Sequence, residues 1–508
     1  MDEEEFATAD ATALAGSVRD GAVSATELVD LAAAAMERLN PLINAVTYEC
    51  LDQARAESRG ELSGPFAGVP ILLKDLGAAV AGHPDHQGNP TLAAAGRRHQ
   101  GDSWLVQRLR AAGFLVVGRT NVPELGLCSD SQNAAFGVTR NPWHLARTPS
   151  GSSGGSAAAV SSGMVPLAHG NDGGGSIRMP AAQCGLVGHK ASRGLVSDGP
   201  GEADSLFGHA VQGFLTRSVR DTAAVLDLVA GPGVGDPVVA PRRRPSLVEA
   251  LGETAPLRVG YVAQTPEASA WSVDPAVAVA VHETVGVLRG LGHEVVESHP
   301  GVMFDPTYWE RWFDLLSPAV ALAVEDLEET ARGTDGTEWH DVVTEHWARR
   351  GREISAADHT RALLWLDRFR RDMATWWADG FDVLLSPVTV QLPLELGSFW
   401  SYPEGVVDSV HMLQFTPQFN STGAPAVSVP ATWTDEGLPV GVQLAGRYGE
   451  DHVVLRLAAQ LEAARPWAHR YPARSSVGVP AERRPGPGAE HAYQGPFRSR
   501  SPEEVAQR

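Results

Sequence analysis

Two glycine-rich segments that carry serines constrain the fold of this chain more than any other feature of its sequence. The first segment is Pro149–Ser156 and the second is Asp172–Arg178, in which three glycines precede Ser176. Glycines adopt positive φ angles and leave the backbone N–H groups unshielded. Clustered N–H groups of this kind are the donors that an oxyanion hole requires. The sequence therefore predicts two tight turns and places Ser176 where it is suited to acyl transfer.

The composition is that of a globular protein with an acidic surface. The chain has 508 residues, a length that suffices for two or three average domains or one large α/β domain. Of these residues, 43% are hydrophobic and 20% are charged, which is ordinary for a globular protein. Its net charge of −20 disfavours binding to nucleic acids and to anionic membranes. The cysteines Cys50, Cys128 and Cys184 form no CxxC pair, and neither a secretory signal nor a membrane span is evident. We therefore expect a soluble cytoplasmic protein without disulfides.

Short apolar runs alternate with helical patterns, and this alternation predicts an α/β fold. The first 60 residues are predicted to be helical, with a capping box at Ser24–Glu27. Strands are predicted at residues 69–73, 114–117, 165–168, 259–262, 294–297, 382–385, 426–430 and 440–444. Helices are predicted at residues 102–113, 154–162, 276–290 and 450–464.

Residues from about 301 to 380 form a distinct segment that is rich in tryptophan and charged residues and is predicted to be helical. This segment is a candidate wall for a substrate pocket, whereas packing between helices is the simpler explanation of any single tryptophan. The tryptophans are Trp309, Trp312, Trp339, Trp347, Trp365, Trp376 and Trp377. Residues 473–508 are rich in proline, glycine, arginine and serine, so we predict a disordered tail.

A serine nucleophile needs a base, and the sequence offers both histidines and a lysine. His169 and His189 lie near the serine segments, but a single histidine in an apolar strand is more often structural, so neither is assigned as the base. Lys74 follows an apolar run, and burial would lower the pKa of its amine and favour the neutral form. Asp75 need not pair with Lys74, because neighbouring side chains on a strand point to opposite faces. On these residues alone, a solvated lysine at the end of a strand is the simpler explanation.

Three segments, Gly68–Asp75, Ser150–Ser156 and Asp172–Pro180, resemble the signature segments of the amidase signature family. The resemblance covers nearly the whole chain ahead of the tail and also includes Thr139–Trp143 and Phe415–Pro430. It implies an α/β class fold, with a single large α/β/α domain built on a mixed central sheet. The implied organisation is an N-terminal helical segment at residues 1–64, the amidase signature domain at 65–472 with its helical insert at about 301–380, and the disordered tail at 473–508.

The resemblance also implies residue roles, because this family hydrolyses amide C–N bonds through a Ser–cis-Ser–Lys triad. Ser176 matches the nucleophile, Ser152 matches the bridging serine whose preceding peptide bond is cis, and Lys74 matches the general base. The backbone N–H groups of Gly173, Gly174, Gly175 and Ser176 match the oxyanion hole. Asp172 and Arg178 match a buried ion pair that supports this loop.

The implied function is that of an amidohydrolase, which cleaves linear or cyclic amides through a Ser176 acyl-enzyme with a Ser152/Lys74 proton relay. Three stretches, Gly64–Leu76, Ala168–Asp172 and Phe415–Pro430, are most similar to the subgroup that hydrolyses nylon oligomers. We expect a small-molecule amide as the substrate and no metal or organic cofactor. A homodimer is also among the expectations.

The chain departs from the common family pattern at three places, and two alternatives stay open. Asn171–Ser176 replaces the common Thr-Asp-Thr-Gly-Gly-Ser loop, Ser150 replaces a glycine, and His189 replaces a leucine. The run Gly151–Gly155 also fits the G-x-S-x-G motif, which would make Ser153 the nucleophile of an α/β-hydrolase-type esterase. The second alternative is the A subunit of an aminoacyl-tRNA amidotransferase, which works only with partner chains.

Overall fold

The computed structural model describes residues 1–201, 204–241, 246–267, 269, 271–332, 341–400 and 409–472. Its helices are α1 (Glu3–Thr8), α2 (Ala11–Arg19), α3 (Ala25–Ile43), α4 (Leu51–Ser58), α5 (Pro90–Ala94), α6 (Trp104–Ala111), α7 (Gly154–Ser161), α8 (Arg178–Cys184), α9 (Ser205–Gly208), α10 (Val219–Val229), α11 (Leu247–Ala250), α12 (Pro275–Gly290), α13 (Tyr308–Arg332), α14 (Val342–Glu353), α15 (Ala356–Ala378), α16 (Pro417–Thr422) and α17 (Asp451–Ala464). Short 3-10 helices lie at Glu124–Gly126, Gly301–Phe304 and Ser398–Trp400.

The strands are β1 (Val46–Glu49), β2 (Pro70–Lys74), β3 (Leu115–Thr120), β4 (Gln132–Asn133), β5 (Gly137–Val138), β6 (Leu167–Asp172), β7 (Val187–Lys190), β8 (Val211–Thr216), β9 (Arg258–Tyr261), β10 (Glu294–Glu297), β11 (Val383–Pro387), β12 (Ala426–Trp433) and β13 (Pro439–Gly446). Within the described residues, eleven of them form one sheet in the order β1-β3-β2-β6-β8-β7-β12-β13-β11-β9-β10. Strand β2 pairs parallel with β3 and β6, whereas β8 pairs antiparallel with β6 and β7. The predicted α/β class with a mixed central sheet is confirmed.

The N-terminal region contains a strand that the sequence analysis did not predict. The capping box at Ser24 and Glu27 is present and begins α3. Asn44, the C-cap of this helix, has a left-handed conformation with φ of 55°, and β1 then pairs antiparallel with β3. The prediction of a wholly helical start is wrong here, because Val46, Thr47 and Tyr48 have β-branched or aromatic side chains that favour a strand. The division of the chain at residue 64 stays a prediction.

Two buried strands and two helices position the residues that the sequence predicts for the site. All five residues of β2 and all six of β6 are buried, so Lys74 and Asp172 stand at the ends of core strands. Strand β6 begins two residues later than predicted, after Pro166, which lacks the N–H that a ladder needs. Helix α7 packs against β6 and β2, and α8 packs against β7, β12 and β13.

Where the structure describes it, the tryptophan-rich segment is mainly helical, with α13, α14 and α15 as its long helices. Trp339 and the predicted disordered tail at residues 473–508 lie outside the described residues. None of the helices in the described part of the chain combines the length and the apolar composition that a membrane span requires.

Candidate active site

Lys74 is buried completely at the end of β2 and contacts the first serine segment. Its Nζ lies 2.6 Å from Ser152 Oγ and 2.5 Å from Asn171 Oδ1. Burial lowers the pKa of Lys74 to about 7, although the nearby Asp172 carboxylate opposes this shift. A large fraction of the lysine is therefore neutral near neutral pH and carries a lone pair that can accept a proton.

Asp75 does not neutralise Lys74, in agreement with the alternation expected of a strand. Its Oδ1 accepts a hydrogen bond from Arg119 Nε at 2.9 Å, and its Oδ2 lies 3.4 Å from His86 Nδ1. Asp75 directly follows the last residue of β2, and its carboxylate and the Lys74 amine have separate partners.

The first serine segment is a tight loop that ends at the start of α7. The peptide bond between Gly151 and Ser152 is cis, as the family resemblance implies. Ser150 has a φ of 67°, which is the left-handed region that favours glycine and explains why glycine is common at this position. Ser131 holds the loop, since its Oγ accepts from the N–H of Gly154 at 2.9 Å and donates to the carbonyl of Ser150 at 3.1 Å.

The second serine segment is held by the buried pair Asp172 and Arg178. The guanidinium binds the carboxylate through two hydrogen bonds, Nε to Oδ2 at 2.9 Å and Nη2 to Oδ1 at 2.8 Å. Although burial by itself would raise the pKa of Asp172, the charge and hydrogen bonds of Arg178, together with a hydrogen bond from Asn420, lower it below its usual range. Arg178 also donates to the carbonyl of Thr416 at 2.9 Å and to Gln443 Oε1 at 2.7 Å, so the pair anchors the loop to the rest of the domain.

In the glycine run, Gly175 has the positive φ that the sequence predicts, but its N–H group does not have the predicted role. Gly175 has a φ of +137°, and a Cβ there would lie 2.5 Å from Thr416 Oγ1. Its N–H donates to Asp172 Oδ1 at 2.8 Å. The assignment of Gly175 as an oxyanion donor therefore needs correction, because this N–H already serves the carboxylate that supports the loop. Gly173 and Gly174 line a cavity together with Ser176.

The two serine segments are adjacent and face the same cavity. The N–H of Ser153 donates to the carbonyl of Ser176 at 3.2 Å, and Ser152 and Ser176 both line the cavity wall. The cavity has a volume of about 250 Å³, and none of the described residues that line it is charged. Its larger apolar lining residues include Leu125, Met179, Trp312, Leu316, Trp347 and Leu413.

The tryptophans of the insert divide between the cavity and the core. Trp312 and Trp347 line the cavity, so the helical insert does form part of its wall. Trp376 instead stacks on Phe381 with a centroid distance of 4.2 Å, and Trp365 stacks on Phe369 at 5.0 Å. Both explanations that the sequence left open therefore apply, each to different tryptophans.

The alternative nucleophile Ser153 lies outside this arrangement. It is fully buried, its Oγ donates to the carbonyl of Asn171 at 3.2 Å, and it is not among the described residues that line the cavity. The nearby histidines are occupied elsewhere, His169 by Gln212 Oε1 and His189 by Asp451 Oδ1, each at 2.9 Å. Burial also lowers the pKa of His169 to about 3, which leaves it a very weak base.

Several residues that support the site were not predicted. Asn171 lies in a stretch that departs from the common family pattern, which predicts no role for it, yet it contacts Lys74 directly. Thr416 and Asn420 lie in Phe415–Pro430, a segment that resembles the family but assigns no role to either residue. Ser131 had no signal in the sequence. Among the described residues, no group of three or more His, Cys, Asp or Glu side chains is arranged to hold a metal ion.

Known proteins resemble this chain over most of its length. The Amidase family model matches residues 25–455. The 6-aminohexanoate-cyclic-dimer hydrolase of Paenarthrobacter ureafaciens is 38% identical over 91% of this chain and 96% of its own length. An acylamidase of Rhodococcus erythropolis is 35% identical over 94% of this chain and 100% of its own length.

A solved structure of a 6-aminohexanoate cyclic dimer hydrolase in complex with substrate matches with a TM-score of 0.87 and 36% identity. The match covers 93% of this chain and 100% of that one. These findings confirm the family resemblance and the similarity to 6-aminohexanoate-cyclic-dimer hydrolases. They favour a hydrolase over the amidotransferase subunit and the α/β-hydrolase-type esterase. The chain belongs to the amidase signature family and is an amidase, a hydrolase of the C–N bonds of carboxylic amides.

Proposed function

We propose that this amidase hydrolyses uncharged linear or cyclic amides through an acyl-enzyme on Ser176. The contact between the buried amine of Lys74 and Ser152 Oγ, at 2.6 Å beside the cavity, carries this proposal. A lysine whose pKa is lowered to about 7 has the basicity that a general base needs near neutral pH.

The proposed reaction begins with proton transfer along the three side chains. Ser152 passes its proton to Lys74 Nζ and takes the proton of Ser176 Oγ, which attacks the amide carbonyl carbon. The carbonyl oxygen becomes negatively charged and accepts hydrogen bonds from the N–H groups of Gly173, Gly174 and Ser176. When the C–N bond breaks, the proton on Lys74 returns through Ser152 to the leaving nitrogen. Water then attacks the ester by the same relay, which releases the carboxylic acid and restores the Ser176 hydroxyl.

The cavity supports an uncharged substrate around the scissile bond. Since no described lining residue is charged, an ionised group bound there would lose its hydration without gaining a counter-ion. The apolar side chains on α13 and α14 suit methylene chains or a ring. The relatives named for a cyclic amide dimer and for acylamide hydrolysis are consistent with this substrate class. The cytoplasmic location and the homodimer stay predictions, and size-exclusion chromatography with light scattering tests the latter.

The proposal is tested by labelling with a fluorophosphonate, which reacts with activated serines, and by mapping the modified peptide. We expect the label on Ser176 in the wild type, none in Ser176→Ala, and no turnover of neutral anilides by that variant. Ser153→Ala is the matched control and should keep most of the activity, because the Ser153 hydroxyl does not line the cavity. Labelling of Ser153, or turnover by Ser176→Ala, would refute the proposed nucleophile.

A further inference from the structure

Two chain segments that form walls of the cavity meet at a buried carboxyl group that the proposed reaction does not use. Leu125, Gly126 and Leu127 form one wall, and Val343 and Trp347 of α14 contribute to another. Glu124 immediately precedes the first wall, and Asp341 is the N-cap of α14.

Glu124 connects these segments through two hydrogen bonds. Its Oε2 accepts from the backbone N–H of Asp341 at 2.8 Å, and its Oε1 accepts from Asn89 Nδ2 at 2.6 Å. Asn89 is itself fixed, because its Oδ1 accepts from the N–H of Leu92 at 3.0 Å and caps α5. Glu124 is only 1% exposed, so water is a poor substitute for either donor. The carboxyl group therefore joins three separate parts of the chain.

The wall that follows Glu124 lies against the reacting groups. Gly126 has a φ of +73°, and a Cβ at this position would lie 3.3 Å from Ser152 Oγ. Leu125 also has a positive φ, of 50°, and its N–H donates to the carbonyl of Gln87 at 2.9 Å. A small displacement of this short segment would therefore change the space beside Ser152, although Glu124 itself lies outside the cavity wall.

The electrostatic surroundings favour the neutral form of Glu124. Burial raises the pKa of Glu124, and the neighbouring Asp341 carboxylate raises it further, while the nearby Thr344 hydroxyl and the hydrogen bonds from Asp341 and Asn89 oppose the shift. In the described part of the chain, Asp341 is the charged group that acts on this carboxyl, and the other facing groups are the polar side chains of Asn89 and Thr344. Ionisation would place a second negative charge in a buried site, which disfavours the close packing of the two walls.

We propose that Glu124 is a positioning residue for substrate binding. By holding the segment Leu125–Leu127 against the start of α14, it fixes the width of the cavity beside Ser152 and thereby sets the affinity for the amide. This inference rests on the proposed hydrolysis at Ser176. Glu124 acts through the cavity wall and takes no part in the bond-making steps, so its loss should affect KM more than kcat.

The test measures kcat and KM for a neutral anilide, butyryl para-nitroanilide, with full-length wild type and variants. For Glu124→Ala we expect KM to rise about tenfold, because two buried hydrogen bonds are lost, with kcat changed less than about threefold. Glu124→Gln keeps one acceptor oxygen and should show a smaller rise. Asp341→Asn is the matched control, since its backbone N–H still donates to Glu124 and its side chain can still cap α14. Its KM should equal that of the wild type at a pH low enough for Glu124 to be neutral in both proteins.

A pH profile of KM separates this role from a general loss of structure. In the wild type, KM should rise as the pH passes the raised pKa of Glu124. This rise should be absent in Glu124→Gln and should move to lower pH in Asp341→Asn, where the neighbouring charge is gone. If Glu124→Ala does not fold, the pH profile of KM for Glu124→Gln decides whether Glu124 has this role. A fall in kcat with unchanged KM, or an alkaline rise of KM that persists in Glu124→Gln, would overturn the inference. A wild type that hydrolyses no amide would refute the proposed function instead.

Discussion

Replacing Arg178 with methionine should destabilise the protein strongly, because it leaves the Asp172 carboxylate buried without its counter-ion. Neither side chain has measurable solvent exposure, and two hydrogen bonds join them. Removing one partner of such a pair costs about 3–5 kcal/mol of the free energy of unfolding. The carbonyl of Thr416 and Gln443 Oε1 also lose their donor, so we expect a value in the upper part of that range. Urea denaturation followed by tryptophan fluorescence measures the change.

The double variant Asp172→Asn/Arg178→Met is the control for this prediction, because it removes both charges at once. Each single change leaves a buried charge behind, whereas the double change leaves none. The double variant should therefore lose clearly less stability than the sum of the two single variants. Additive losses would refute the reasoning, since they would mean that the two side chains do not stabilise each other.

The pH dependence of the Arg178→Met variant gives an independent check with a definite sign. In the wild type, the pKa of Asp172 is lowered in the folded state, so the ion pair stabilises the protein above the carboxyl pKa of the unfolded chain, and this contribution is lost as the pH falls through the folded value. Without Arg178, burial should raise the pKa of Asp172 above that of the unfolded chain. The stability gap between variant and wild type should then narrow as the pH falls from about 7 to about 5. A difference in stability that stays constant over this pH range would contradict the presence of a buried, ionised Asp172 in the variant.

Two further predictions concern activity. The value of kcat/KM should rise with pH through about 7, because burial lowers the pKa of Lys74 to that value and only the neutral amine accepts a proton; a flat profile from about pH 5 to pH 8 would argue against Lys74 as the base. Gly175→Ala should lower kcat on the order of 10²-fold, because its Cβ would lie 2.5 Å from Thr416 Oγ1 and displace the segment Asp172–Arg178, which carries the proposed oxyanion donors. Gly173→Ala, whose Cβ would meet nothing nearer than 3.4 Å, is the matched control and should retain more activity in the same anilide assay.

The parts of the site that the sequence predicted are those carried by continuous segments. Lys74, Ser152 and Ser176 each stand in a continuous segment that resembles a family signature, and this resemblance is what assigned their roles. Their supports could not be found in this way. Asn420 contacts Asp172 across 248 positions of sequence, and such a contact depends on how the strands are ordered in the sheet. The same limit applies to β1, whose pairing with β3 is not encoded in the residues of β1 alone.

Asn171, which departs from the common family pattern, contacts both the backbone of Leu76 and the amine of Lys74. Its Nδ2 donates to the carbonyl of Leu76 at 3.0 Å, which fixes the orientation of the amide and leaves Oδ1 facing Lys74 Nζ. An amide oxygen can only accept a hydrogen bond, so it takes one of the two N–H groups of a neutral amine. The lone pair of Nζ is then free to face Ser152 Oγ, the direction that proton transfer from the serine requires. In the proposed mechanism, burial would prepare Lys74 by favouring its neutral form, and Asn171 would orient its amine.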